Sequence, residues 1–217
     1  MSSFAVFIQM NQGEILRAFL QHIWLVAVSV SIGLLIALPS GILLSRHKSK
    51  AKYMMAITGT LQTIPSLVLL GFVRYFFGIG MVPAIAVLTI YAILPVMRNT
   101  YTGITEVDPS YVEAAKGIGM TGLQILYKVE LPLALSTIIS GLRMSVVYIV
   151  SWATLACLIG AGGLGDLIWT GLGTYSKYHV YAGAIPAAIL AVLSGLLIGL
   201  LQTLLTPRGL RKGGDKA

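Results

Sequence analysis

The sequence predicts an all-α integral membrane protein with five core transmembrane helices. Of its 217 residues, 57% are hydrophobic and only 10% are charged, whereas soluble domains carry about 25% charged residues. The mean hydropathy is +0.88. Long uncharged stretches also separate the charged residues, and a helix needs about 20 apolar residues to cross the hydrocarbon core. This composition excludes a water-soluble globular domain and a disordered chain.

The uncharged stretches define the spans in order. Four stretches of 21 to 30 residues contain no Asp, Glu, Lys or Arg, and a fifth, 131–165, is interrupted only by Arg143. We predict helices at 20–44, 54–73, 80–97, 131–157 and 180–205. Six glycines between residues 160 and 173 disfavour a helix in segment 157–175. A short re-entrant segment or a sixth helix is the alternative there.

The distribution of Lys and Arg predicts the orientation. With the N-terminus outside, 11 of the 15 positive residues lie inside and three lie outside, as the positive-inside rule requires. We therefore predict a multi-pass protein of the cell membrane with a short extracytoplasmic N-terminus, 1–19, and a basic cytoplasmic tail, 206–217. The excess positive charge lies at membrane edges, which argues against a nucleic-acid partner.

The polar segment before the fourth span contains a predicted docking element, 109–120. Asp108 is a predicted N-cap and a proline follows it, which is typical of a helix start. The small Ala114 and Ala115 would let another protein's backbone approach closely. Glu113 would anchor that contact through a charge-assisted hydrogen bond. The pattern indicates a protein-binding helix rather than a catalytic site.

These residues carry a resemblance to a known family. Glu113-Ala114-Ala115, Gly119, Val129 and Leu131-Pro132 resemble the EAA loop of ABC-transporter permeases, with Val129 where the family usually has Ile. The resemblance extends over residues 20–202. It implies the type I importer permease fold (the binding-protein-dependent, MetI-like family) with five core helices, in agreement with the spans counted from the charges.

The resemblance also implies the partners of the chain. In this family the EAA loop is the coupling helix that docks on a cytoplasmic ATPase subunit, and a second permease and an extracytoplasmic substrate-binding protein complete the transporter. ATP would be used by the ATPase partner, so this chain would bind no cofactor and would not be an enzyme. The implied coupling residues are Glu113, Ala114, Ala115, Gly119, Leu131 and Pro132.

Three further runs resemble a narrower group, the osmoprotectant permeases that move glycine betaine, carnitine or choline. They are Gln62-Thr63-Ile64-Pro65-Ser66-Leu67, the run 94–101, and the run 151–165. The glycine-rich end of the third run also occurs in methionine-type permeases. Another small solute, such as an amino acid of the methionine kind, is therefore the alternative substrate.

The residues of a translocation pathway are predicted from their chemistry. Quaternary ammonium groups bind aromatic faces, and polar or kinked positions in otherwise lipid-like helices mark substrate pathways. The predicted pathway residues are Gln62, Thr63, Pro65, Tyr91 and Trp152, and Tyr148 lies at similar depth. Arg143 is an intramembrane charge, for which we expect a structural partner, a backbone carbonyl or Glu106, with a role in lining the cavity as the alternative.

Two other classes of protein compete with the importer permease. A channel needs no ATPase-docking loop, so the EAA pattern argues against it. A membrane-embedded enzyme needs a cluster of polar residues at one depth, and Arg143 is the charge that lies clearly within a span. One cysteine and three scattered histidines show no metal-ligand spacing. We therefore predict no catalytic residues and no metal site.

Overall fold

The computed structural model describes residues 3–206, apart from the side chains of Ser3 and Lys48, and over this range the chain is almost entirely helical. The predicted basic tail lies outside the described residues except for Thr206. The helices are α1 (Ser3–Ser45), α2 (Lys48–Thr63), α3 (Ser66–Phe77), α4 (Met81–Thr105), α5 (Pro109–Gly117), α6 (Gly122–Ile125), α7 (Leu131–Ala153), α8 (Leu164–Gly173) and α9 (Lys177–Leu205). A π-helical turn, Leu126–Glu130, joins α6 to α7, and a 3-10 turn, Ala156–Ile159, follows α7.

The apolar helices account for the predicted spans. Within the described range, four helical segments are long and apolar enough to cross a membrane: Phe4–Ser45, Met81–Thr105, Gly122–Ala153 and Lys177–Leu205. A fifth span is present if the pair α2 and α3, which meet at 92°, counts as one. The prediction of an all-helical membrane protein is therefore confirmed, and the five predicted spans are reached when α2 and α3 count as one.

The second span is broken, which corrects the prediction of one continuous helix at 54–73. α2 ends at Thr63, Ile64 has extended backbone with ψ of 122°, and α3 begins after Pro65. Proline has no N–H to donate and disfavours helical geometry in the residue before it. These two properties account for the break at Ile64.

The first helix is longer than predicted. α1 begins at Ser3 instead of residue 20, with a local departure from helical geometry at Asn11 (φ −114°, ψ 16°). Residues 3–19, which belong to the predicted short extracytoplasmic N-terminus, are helical and continuous with the first span. Phe4 and Phe7 pack against Tyr178 at the start of α9, with ring centroids 5.9 and 5.8 Å away. These contacts stabilise the first turns of α1.

Segment 157–175 contains a helix despite its glycines. α8 has 10 residues, about 15 Å of helix, which is too short for a sixth span. The expectation that glycine would prevent a helix is wrong for 164–173. A Cβ on Gly165 would lie 2.1 Å from the carbonyl oxygen of Thr154. Glycine is therefore required where α8 packs on the end of α7.

The core lies between α1, α4 and α7. Leu25 of α1, Leu88 of α4 and Ile149 of α7 are fully buried and belong to one apolar cluster. Ser145 of α7 donates a hydrogen bond of 2.9 Å to the carbonyl of Ala92 on α4. α9 packs beside this core against α7 and α8, with most of its apolar surface exposed.

Candidate functional sites at the broken span and in the loop before α7

The structure brings two of the predicted pathway residues into contact. The rings of Tyr91 on α4 and Trp152 on α7 meet edge to face, with centroids 4.4 Å apart. Tyr148, one turn before Trp152, adds a third ring at 5.7 Å. Tyr91 is buried, Trp152 is half-buried and Tyr148 is 41% exposed. The faces open to a ligand are therefore those of Trp152 and Tyr148.

Tyr91, Trp152 and Tyr148 form an aromatic group that reaches the bend of the broken span. The Tyr91 hydroxyl donates a hydrogen bond of 2.6 Å to the carbonyl of Ile64, the residue between α2 and α3. Its neighbours Thr63 and Pro65 are exposed. The Thr63 hydroxyl donates to the carbonyl of Thr60 at 2.7 Å, so its bond is local to the helix. The contact of the Ile64 carbonyl with Tyr91 is not predictable from the sequence, because nothing along the chain connects the two residues.

Gln62 lies on a separate feature, a cleft of about 290 Å³ between α2 and α4. Arg98 of α4 lines the same cleft and is exposed. Arg98 is not among the predicted site residues, although it belongs to the run 94–101 that carries the narrower resemblance. The bend and the cleft both lie along the broken span.

The loop before α7 starts with a well-capped helix. The Asp108 carboxylate accepts the backbone N–H of Ser110 at 2.9 Å, with Pro109 in the first turn of α5. This backbone hydrogen bond, together with one from the Ser110 side chain, holds the pKa of Asp108 below its usual range. Gly119 ends the element with φ of +81°, where glycine is favoured. A capping box between Thr121 and Gln124 then starts α6.

The predicted coupling residues divide into an outer and an inner set. Glu113, Ala114 and Gly119 are exposed. Ala115 is 5% exposed and faces the body of this chain, so its small size serves packing within the protomer. Leu131 and Pro132 are half-buried at the start of α7. Leu131 also lines an apolar groove of about 880 Å³ between α1 and the loop.

An ion pair ties this loop to α1. The Arg46 guanidinium, just after α1, donates from Nη1 to Glu130 Oε1 at 2.8 Å and from Nη2 to Oε2. Glu130 is buried at the end of the π-helical turn, whereas the Arg46 side chain is 42% exposed. Two parallel bonds fix orientation as well as distance. The loop is therefore attached to α1 as well as to α7.

Arg143 lies on the opposite interface of α7. A Cβ on Gly199 of α9 would be 3.4 Å from Arg143 Nη1, and one on Gly195 would be 3.8 Å from Nε. Of the partners expected for Arg143, Glu106 is wrong, because Arg143 faces α9 whereas Glu106 follows α4, and the role in lining the cavity stays a prediction. In the part of the chain that the structure describes, the ion pair is Arg46–Glu130. Gln202 supports the same interface with hydrogen bonds to Ser136 and Ser140 on α7.

The described helices define a multi-pass membrane protein, in which the helix-glycine-helix loop before α7 leaves an exposed side for a second protein. The chain matches the family of binding-protein-dependent transport system inner membrane components over residues 5–210. It belongs to this family, the permease components of type I ABC importers, which are not themselves enzymes.

Curated relatives define the narrower similarity. The chain is 42% identical to the carnitine transport permease protein OpuCB of Listeria monocytogenes, over 99% of each chain. It is 41% identical to the glycine betaine/carnitine/choline permease OpuCB of Bacillus subtilis, over 97% of each. The Bacillus subtilis choline permease OpuBB is 43% identical over 95% of each. The resemblance to osmoprotectant permeases is confirmed.

Solved structures show the same fold. A chain of the inward-facing MetNI methionine ABC transporter superposes with a TM-score of 0.78 and 25% identity, over 95% of this chain and 100% of that one. A chain of an amino acid ABC transporter with histidines gives a TM-score of 0.73 at 20% identity, over 95% and 98%. The predicted type I importer fold is confirmed by these superpositions.

Proposed function

We propose that this chain is the membrane subunit of an ATP-driven importer that moves glycine betaine, carnitine or choline. The observation that carries the proposal is 41–43% identity over nearly the full length to three permeases named for these compounds. The methionine-like alternative is supported by a structural neighbour at 25% identity. Identity and coverage favour the quaternary ammonium solutes.

The aromatic group supports the same substrate class. Quaternary ammonium ligands bind aromatic faces through cation–π attraction, worth about 0.5–1 kcal/mol at exposed sites. Trp152 and Tyr148 present such faces beside the bend of the broken span. A contact of this strength suits transit rather than capture. Capture then belongs to a separate extracytoplasmic binding protein.

The test of substrate class uses the assembled transporter in proteoliposomes. The binding protein is supplied outside, ATP is enclosed inside, and uptake of labelled glycine betaine, carnitine, choline and methionine is measured. We expect ATP-dependent uptake of at least one quaternary ammonium compound and none of methionine. Uptake of methionine without any of the other three would overturn the assignment.

We also infer that residues 109–120 dock on the ATPase. α5 is capped by Asp108, and its exposed side carries Glu113 and Ala114. Because the side chain of Ala114 is small, a partner could approach the backbone of α5 closely there. Leu131 and Pro132 would pass the movement of the loop to α7. This chain then binds no cofactor of its own, and ATP is used by the partner.

The docking proposal is tested with matched tryptophan substitutions. Ala114→Trp adds bulk on the exposed side of α5, and added volume is poorly tolerated in packed interfaces. Ala188→Trp adds the same bulk on the exposed side of α9. We expect Ala114→Trp to lose co-purifying ATPase and uptake, and Ala188→Trp to retain both. Full retention in Ala114→Trp would exclude this helix as the coupling element.

The proposed topology places the N-terminus outside and the C-terminus in the cytoplasm. Ser49 follows α1 and Ser176 precedes α9, so the two positions lie on opposite sides of the membrane in this arrangement. Single substitutions Ser49→Cys and Ser176→Cys, in a Cys157→Ala background, are treated with a membrane-impermeant maleimide on intact cells. We expect labelling at 176 only. Labelling at 49 would reverse the orientation.

A further inference from the structure

The carbonyl of Ile64 cannot be satisfied by the helices that flank it. In a continuous helix the N–H of Val68 would donate to it, but Val68 and Leu69 both donate to the carbonyl of Pro65, at 2.9 and 3.2 Å. A backbone carbonyl without a partner is costly at membrane depth. Tyr91 supplies the missing donor through its hydroxyl, at 2.6 Å.

The donor is held in place by the core. Tyr91 is 2% exposed, and its ring packs against Trp152 with centroids 4.4 Å apart. The packing of α4 on α7 therefore determines where the hydroxyl lies. A phenol on a locked ring has one rotatable bond left, the C–O bond, so it makes a directional anchor.

The broken span packs on the core with one side only within this protomer. On α3, Leu70 is buried in the core cluster with Leu69 and Val73 against it, whereas Phe72, Tyr75 and Phe76 are more than 60% exposed. The Tyr91–Ile64 bond thus connects the core to this one-sided segment, and it does so at the bend. Its loss would free the angle between α2 and α3.

We propose that Tyr91 is a positioning residue for transport: its hydroxyl holds the Ile64 carbonyl and thereby sets the bend of the broken span beside Trp152. The inference rests on the proposed transport function and adds to it a role for Tyr91 other than the ligand contact predicted from the sequence. With the bond in place, one bend angle dominates. Without it, the half-helices sample other angles and fewer molecules present the productive pathway.

The test compares Tyr91→Phe with Tyr53→Phe. Both remove one hydroxyl from a tyrosine ring, but Tyr53 is an exposed residue of α2 whose hydroxyl makes no hydrogen bond in the described structure. We expect Tyr91→Phe to lower the maximal uptake rate about fivefold, because loss of one hydrogen bond shifts a conformational equilibrium by about this factor. The external substrate concentration at half-maximal rate should be unchanged. Tyr53→Phe should behave as the parent protein.

A distance measurement separates positioning from ligand contact. Spin labels are placed on Lys52→Cys and Phe76→Cys, on either side of the bend, in a Cys157→Ala background, and the distance distribution is recorded by pulsed electron paramagnetic resonance. We expect a broader distribution for Tyr91→Phe than for Tyr53→Phe. This measurement needs no transport, so it tests the bond even if the parent protein fails to import quaternary ammonium compounds and the proposed function is wrong.

Two outcomes overturn the inference. If Tyr91→Phe matches Tyr53→Phe in distance distribution, the hydroxyl does not set the bend, whatever happens to the uptake rate. If the distribution broadens but the maximal rate is unchanged in a transporter that works, the bend does not control transport. A broader distribution together with a lower maximal rate supports the positioning role.

Discussion

Arg46 binds both carboxylate oxygens of Glu130, which joins the end of α1 to the turn that leads into α7. The two residues are 84 positions apart and differ sharply in exposure. Glu130 is buried, whereas 42% of the surface of the Arg46 side chain is exposed to solvent. The pair therefore anchors the loop before α7 to α1 as well as to α7.

The difference in exposure predicts an asymmetric effect of breaking the pair. Arg46→Met leaves a buried carboxylate without compensation and should cost about 3 kcal/mol of unfolding free energy. Glu130→Gln leaves a guanidinium that water can solvate and should cost about 1 kcal/mol. Unfolding in mixed detergent micelles measures both. The double variant Arg46→Met/Glu130→Met should recover part of the loss, and equal costs for the two single variants would contradict the asymmetry.

The cap of α5 predicts a local, pH-dependent effect. The hydrogen bonds from Ser110 lower the pKa of Asp108, so the cap contributes stability above the ordinary aspartate pKa and loses it as the pH falls through the lowered value. Asp108→Ala should speed amide exchange in α5 about fivefold at neutral pH. Asp108→Asn retains an acceptor and should exchange nearly as the parent does, without the acid-side transition. Hydrogen-exchange mass spectrometry gives both readings.

The aromatic faces predict a change in transport rate rather than in capture. Trp152→Ala removes a cation–π face and should lower the maximal uptake rate about fivefold. The half-saturating external concentration should stay constant, because in the proposed transporter a separate binding protein would determine it. Trp152→Phe should retain part of the rate. Trp169→Ala, on the exposed side of α8, is the control. A strong rise in the half-saturating concentration at constant maximal rate would remove Trp152 from the pathway.

The packing of α8 predicts opposite results for two glycines of the same helix. Gly165→Ala places a Cβ 2.1 Å from the Thr154 carbonyl and should cost about 3 kcal/mol, because backbone must shift. Gly173→Ala meets nothing within 4 Å and should change stability by less than about 0.5 kcal/mol. Thermal unfolding of the purified variants measures the difference. Similar midpoints for both would show that α8 does not pack on α7 in this way.

Much of the candidate site was predictable, and its gaps have physical causes. The start of α5 follows from Asp108 and Pro109, since capping depends on neighbours in the sequence. The pairing of Tyr91 with Trp152 agrees with two positions chosen for their chemistry. Ala115 was predicted to face a partner but is buried in its own chain. A short helix presents several faces, and the sequence of the loop does not state which one packs inward.

The sequence by itself determined the membrane spans, the family and the position of the EAA-like loop, because hydropathy, span length and short motifs are properties of contiguous residues. Pro65 breaks the second span locally, but tertiary structure alone decided the angle of 92° at that break, the helix at 164–173 and the Arg46–Glu130 pair. It also decided that Arg143 lies over two glycines of α9 instead of meeting Glu106. Each of these depends on which helix faces which. That choice follows from packing between residues far apart in the chain, and no local pattern encodes it.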